Sequence, residues 1–145
     1  MIKTFRGSLA HGTEDSIRLS TIQGKVGYRI VKYQTIAADP MNASTESVTQ
    51  IWKTSQSSIG DTIDFSEPTL LAAAHISHNQ TSGAGTFNYV VFDNETFNQD
   101  IYISTSANPG PVNYYIELEV IPLSDTGAEY ATIKDLRSNT ATVPA

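Results

Sequence analysis

The stretch Asn108–Asp125, NPGPVNYYIELEVIPLSD, decides the fold. Two prolines and a glycine break the backbone, and then a strict two-residue alternation begins. Tyr114, Ile116, Leu118 and Val120 share one parity; Tyr115, Glu117 and Glu119 share the other, until Pro122 stops the run. A period of two is the signature of a half-buried strand, with one face on a core and the other in water. Tyr114 and Tyr115 must then lie on opposite faces, and at least one phenol is expected at a surface or boundary.

The same period recurs on both sides of this segment. DSIRLST puts Ile17 and Leu19 on one face and Ser16, Arg18 and Ser20 on the other, before a turn at Gln23–Lys25. In VGYRIVKYQTIA, parity sets Tyr28 and Ile30 against Val31 and Tyr33, as in a strand covered on both sides. TESVTQIWKTS places Val48 and Trp52 on one face and Ile51 on the other. TLLAAAHIS fits a strand or a short helix and is read as a strand because it is short and lies between loops. GTFNYVVFD and QDIYISTS complete the series, with TSGAGTF read as a hairpin tip and NETFN as a polar turn. About eight short strands separated by turn signals predict an all-β, antiparallel β-sandwich, jelly-roll-like, rather than βαβ units. SDTGAEYATIKDLRSN, with Ser124 or Asp125 as N-cap and Lys134 and Arg137 late, predicts a short C-terminal helix, and TATVPA a tail. The whole chain, 1–145, reads as a single domain, with segments 1–11 and 138–145 expected as extended arms.

Composition narrows the function. There is no cysteine, which excludes disulfides, thiolate metal sites and cysteine nucleophiles. The net charge is −6, only 17% of residues are charged, and the nine basic residues are scattered, so nucleic acid is not expected as a direct partner. MIKTFRGSLAHGTED lacks the apolar segment of an export signal, and no span approaches about 20 apolar residues, so a membrane partner is not expected either.

Catalytic and metal patterns are weak. His75 and His78 are three apart, which separates them to opposite faces of a strand, and His11 is remote. The acidic stretches around Asp61, Asp64 and Glu67, and around Asp93, Asn94, Glu95, Asn98 and Asp100, match no calcium-loop order. They read as turns in which Asp and Asn cap their own backbone. Glu117 and Glu119 share a strand face as a glycosidase pair would, but a wet sheet face explains them more simply. No G-x-S-x-G or phosphate loop is present, and N-x-[ST] triplets at Asn42, Asn79 and Asn94 fit chance in so Ser/Thr-rich a chain. The expectation is a protein that is not an enzyme and uses no cofactor.

Three stretches taken together, DSIRLSTIQGKVGYRIVKYQ, VVFDNETFNQDIYISTS and NYYIELEVIPLSD, resemble small cysteine-free, β-rich virion proteins of marine tailed bacteriophages. The resemblance runs from about Phe5 to Arg137. It implies a structural protein located in the virion and made in the host cytoplasm, either a capsid decoration or cement protein or a minor tail or fibre-base component, with the accessory capsid role favoured. Its implied partners are the major capsid protein and copies of itself in a homo-oligomer. On that reading the aromatics Tyr114, Tyr115, Trp52 and Tyr33 are the candidate interface residues. The alternative is a glycan-binding β-sandwich module that recognises a receptor through Trp52 and exposed tyrosines, helped by Asn94 and Asn98.

Overall fold

The computed structural model describes residues 1–20, 25–42, 44–79 and 85–123. The expected C-terminal helix, the tail at 138–145, the glycine of the first turn and most of the TSGAGTF tip lie outside those residues. Eight strands are present: β1 (Ile2–Leu9), β2 (Thr13–Ile17), β3 (Val26–Ala37), β4 (Ser44–Trp52), β5 (Leu70–Asn79), β6 (Gly85–Phe92), β7 (Ile101–Asn108) and β8 (Val112–Pro122). They form two antiparallel sheets, a three-stranded one ordered β1-β8-β3 and a five-stranded one ordered β2-β7-β4-β5-β6. The protein is an antiparallel β-sandwich.

The order 1-8-3 facing 2-7-4-5 is that of a jelly roll. In a full jelly roll the remaining strand would complete the small sheet beside β3. Here β6 pairs with β5 over its whole length instead, from Ala72↔Phe92 to Asn79↔Gly85. The chain still passes β3 in the antiparallel sense, touching it at two points. At one end the Asn88 Nδ2 donates to the Thr35 carbonyl (3.1 Å). At the other, Tyr28 and Phe97 exchange both backbone hydrogen bonds (2.7 and 2.9 Å). Between these anchors the β3–β6 seam has no ladder.

The opening alternation is explained by position. β8 is the middle strand of the small sheet, so its Ile116 and Leu118 are fully buried while Glu117 and Glu119 face outward. Facing them across the sandwich are Ile51 of β4 and Ile101 and Ile103 of β7, also without exposure. Each such side chain contributes about 1.5–3 kcal/mol by leaving water. The outer face of the small sheet is charged: Arg29 pairs with Glu119, and the Lys32 ammonium stands 5.6 Å from the Tyr115 ring. The two glutamates are the wet side of a strand.

Two readings of the sequence need correction. In β3 the register shifts between Ile30 and Lys32, so Val31 is an extra, bulged residue. The bulge resets the parity and returns Tyr33 to the inward face that Tyr28 and Ile30 already occupy, all three being buried. Segment 1–11 is not an arm, because Ile2–Leu9 runs the length of β8 as β1. Its inward row is Lys3, Phe5, Gly7 and Leu9, too mixed to show as an apolar alternation. Gly7 is required there: a Cβ would sit 2.7 Å from the Tyr114 hydroxyl oxygen and 2.8 Å from its ring.

Candidate functional site

Burial divides the aromatics that the sequence nominated. Tyr33 is fully buried and its hydroxyl donates to the Thr49 carbonyl of the opposite sheet (3.0 Å); burial pushes its ionisation well above the usual phenol range. Tyr114 is also buried, and its hydroxyl donates to Asp15 Oδ2 of β2 (3.0 Å). Burial raises its ionisation first, and the bond to Asp15 and the carboxylate charge raise it further. Both are ties between the sheets, so neither is a surface a partner reaches. Tyr115 is half-buried on the charged face under Lys32. Trp52 is half-buried, with its indole N–H on the Ser104 hydroxyl (3.1 Å).

The outer face of the large sheet is partly roofed by the chain between β4 and β5. Gln50 donates to the Thr62 carbonyl (3.3 Å), and Glu14 of β2 accepts from the Gln56 N–H (2.9 Å) and the Ser55 hydroxyl (2.7 Å). At the root of that loop Lys53, 3% exposed, pairs with Glu95 (2.7 Å). The acidic turns satisfy themselves. Asp64 accepts from the Ser66 N–H and hydroxyl, which hold its carboxyl below the usual range, Glu67 accepts from Thr69, and Asp93 from the Glu95 N–H. Asp100 accepts from Leu19 and Ser20 across the β2 end. Among the described residues, no three His, Cys, Asp or Glu side chains gather to hold a metal ion.

Where the roof ends, two features remain open. The first is a polar cleft of about 460 Å³ with His11, Glu46, Asp61, His75, Ser106 and Asn108 in its walls. His11 Nδ1 accepts the Ala107 N–H there (3.1 Å). The second is β6 itself. Phe87, Tyr89 and Val91 stand on its outward face at 45%, 62% and 52% exposure, and Val90 on the inward face packs on the core. The Phe87 and Tyr89 rings are parallel within 6°, with centroids 6.0 Å apart. Tyr89 lies directly beside His75, so the aromatic strip borders the cleft.

Sequence reasoning passed over this strip. Its signal was present: TFNYVVF is apolar at both parities and carries no charge, more apolar surface than a half-buried strand needs. His75 and His78 do fall on opposite faces, His75 outward at the cleft and His78 inward at a second, apolar cavity beside β3.

No protein-family model matches the chain, and neither a curated protein nor a solved structure matches it significantly.

Proposed function

We propose that this β-sandwich is a non-enzymatic structural protein of a virus particle, a decoration or cement protein. It would stabilise the shell by contact with the major capsid protein and with copies of itself. The observation that supports this reading is the bare apolar strip on β6. Free sheet edges are templates for association, and proteins guard them with charges or proline. Of the four edge strands described, β1 carries Lys3 and Arg6, β2 carries Glu14 and Asp15, and β3 carries Arg29 and Lys32. β6, Gly85–Phe92, carries neither charge nor proline. With a net charge of −6, two copies meet at least repulsion where both surfaces are neutral. A two-fold axis through Tyr89 and perpendicular to the strand sets Phe87 of each copy against Val91 of the other, a self-complementary contact.

Size-exclusion chromatography with light scattering, and co-sedimentation with purified capsids, test the reading. Wild type is expected to self-associate or to bind the shell, and Tyr89→Lys to lose both while keeping its thermal midpoint. A lasting monomer that leaves capsids untouched sinks the proposal.

Glycan recognition is the second reading, and the ring pair bordering the polar cleft favours it. Its anchor would be Tyr89 with Phe87 rather than Trp52, whose indole N–H is already bonded inside the protein. Glycan-array binding that Tyr89→Ala abolishes and Trp52→Phe retains would establish this reading.

A further inference from the structure

The hydrogen-bond phase of β6 follows from where its ladder ends. The Asp93 N–H donates to the Leu71 carbonyl (2.9 Å), one step beyond the last pair of the ladder, Ala72↔Phe92. In an antiparallel ladder bonded and unbonded pairs alternate, and a residue in an unbonded pair turns its N–H and C=O to the other side of its strand. The register runs without a shift from Ala72↔Phe92 to Asn79↔Gly85, so this phase carries through. Phe87, Tyr89 and Val91 therefore direct their backbone groups to β5, while Thr86, Asn88, Val90 and Phe92 aim theirs at the open edge. Among the described residues β6 pairs with no other strand. Thr86, Asn88 and Phe92 are exposed even though their side chains share the inward parity of Val90. An uncovered edge accounts for exposure at both parities.

Such an edge is completed by another strand, and β6 can be its own partner. A two-fold axis through Tyr89 and perpendicular to the sheet sets Thr86 against Phe92 and Asn88 against Val90 of the second copy. Every edge-facing residue then meets another, and only this axis pairs all four within Gly85–Phe92. The same axis makes Phe87 with Val91, and Tyr89 with itself, unbonded pairs, where facing side chains come closest. No charge lies in the strand, so no like-charged pair opposes the register. The apolar strip also continues past the strand. Val91 and Phe92 share a groove of about 180 Å³ with Leu70 and Phe65, and Phe65 is 67% exposed. Phe87 of the second copy, lying opposite Val91, arrives at the mouth of that groove.

We propose that two copies of this chain pair β6 to β6, antiparallel and centred on Tyr89, fusing their five-stranded sheets into one continuous sheet. This pairing rests on the reading of β6 as a contact strand, and it defines which bonds form between the copies. A contact built on one strand is small beside the roughly 1,200–2,000 Å² of standard interfaces, so monomer and dimer are in a concentration-dependent equilibrium.

Amide exchange of the wild-type protein, followed by NMR at about 20 μM and about 1 mM, tests the pairing without a substitution. Raising the concentration should slow exchange about fivefold or more at Thr86, Asn88, Val90 and Phe92. Phe87, Tyr89 and Val91, already bonded to β5, should change little. Slowing of both sets alike, or of neither, overturns the pairing. Asn88→Pro removes an edge-facing N–H and the side-chain bond to Thr35 but no bond to β5. In sedimentation velocity it should weaken self-association at least about tenfold while the near-UV spectrum of the folded sandwich persists. A folded Asn88→Pro that associates as wild type does overturns the pairing. Co-sedimentation with capsids separates this inference from the shell-binding reading. Alternating protection in a protein that leaves capsids untouched supports the pairing and removes the shell from that reading's partners. Capsid binding without alternating protection overturns the pairing and leaves the shell reading standing.

Discussion

Compare the two long sides of the sandwich. Along the β1–β2 side the sheets are joined by a part-buried side-chain bond, Tyr114 hydroxyl to Asp15, and Gly7 is kept bare so that the Tyr114 ring can cross. Along the β3–β6 side the strand that would zip the small sheet has gone to the large one. That leaves one amide bond at Asn88, one backbone bridge at Phe97, and a cavity between the sheets. The outward face of β6 is the most apolar exposed strip described. The closed side spends its polar groups on holding the sheets together, whereas the open side leaves polar and apolar groups unsatisfied. Exposed apolar surface is where a second molecule gains most, which is why the proposed contact falls on β6.

The largest expected effect is on the open side's deeper anchor. Phe97 is 1% exposed and packs on Tyr28 with ring centroids 6.3 Å apart. Phe97→Ala should destabilise by about 3–5 kcal/mol in urea unfolding, as for other buried aromatics. A cost below about 1 kcal/mol would mean that the bridge to β3 is dispensable and the seam is open along its whole length. On the closed side Gly7→Ala should cost about 1–3 kcal/mol, because the added methyl meets a ring whose hydroxyl is already tied down. Gly7→Ala combined with Tyr114→Ala should recover part of that loss.

Tyr114→Phe comes next, at about 1–2 kcal/mol, since it leaves the Asp15 carboxylate without its donor. It also carries a pH signature. Tyr114 and Tyr33 both ionise at higher pH in the fold than in the unfolded chain, chiefly because they are buried. A raised pKa on a group that is neutral when protonated means that its contribution is complete below the unfolded value, about 10, and is lost as pH climbs beyond it. Urea midpoints measured between pH 8 and 11 should fall from about pH 10 upward in the wild type and less steeply in Tyr114→Phe. Equal slopes would show that Tyr114 is solvated in solution.

Part of this architecture was legible because β7 and β8, inside their sheets, alternate cleanly. β5, apolar at both parities through LLAAA, could be read as a strand only from its length between loops, and β4 carries Val48 and Trp52 opposite Ile51, with Thr45, Ser47 and Thr49 in its buried row. β3 could not be phased, since a bulged residue leaves no mark in a sequence and shifts every later side chain by one. β1 was hidden by its own inward row, in which Lys3 reaches over the Tyr28 ring at 6.0 Å and Gly7 contributes nothing apolar. Phe97 was concealed inside NETFN, where four polar neighbours disguise a core anchor. The exposure of the aromatics was hard to read for a related reason. Tyr33 and Tyr114 drew notice because they sit in well-patterned strands, and good patterning is the mark of burial. The exposed rings, Phe87 and Tyr89, lie in the strand whose pattern is poorest, because it is apolar on both faces.

The smallest effect bears most directly on the contrast between the sides. Asn88→Ala removes the side-chain bond to the Thr35 carbonyl but no buried apolar surface, and it should cost only about 0.5–1 kcal/mol. Its main consequence should be local: faster amide exchange near Thr35 and along β6, with exchange at Ile101–Thr105 in the core unchanged. That outcome would identify the seam as a cooperative unit of low stability, able to open without unfolding the sandwich. If Asn88→Ala instead costs as much as Gly7→Ala, the seam is bound as firmly as the closed side. The cavity would then be a packing defect in a tight joint, and β6 would have no greater freedom to adapt to a partner than any other strand.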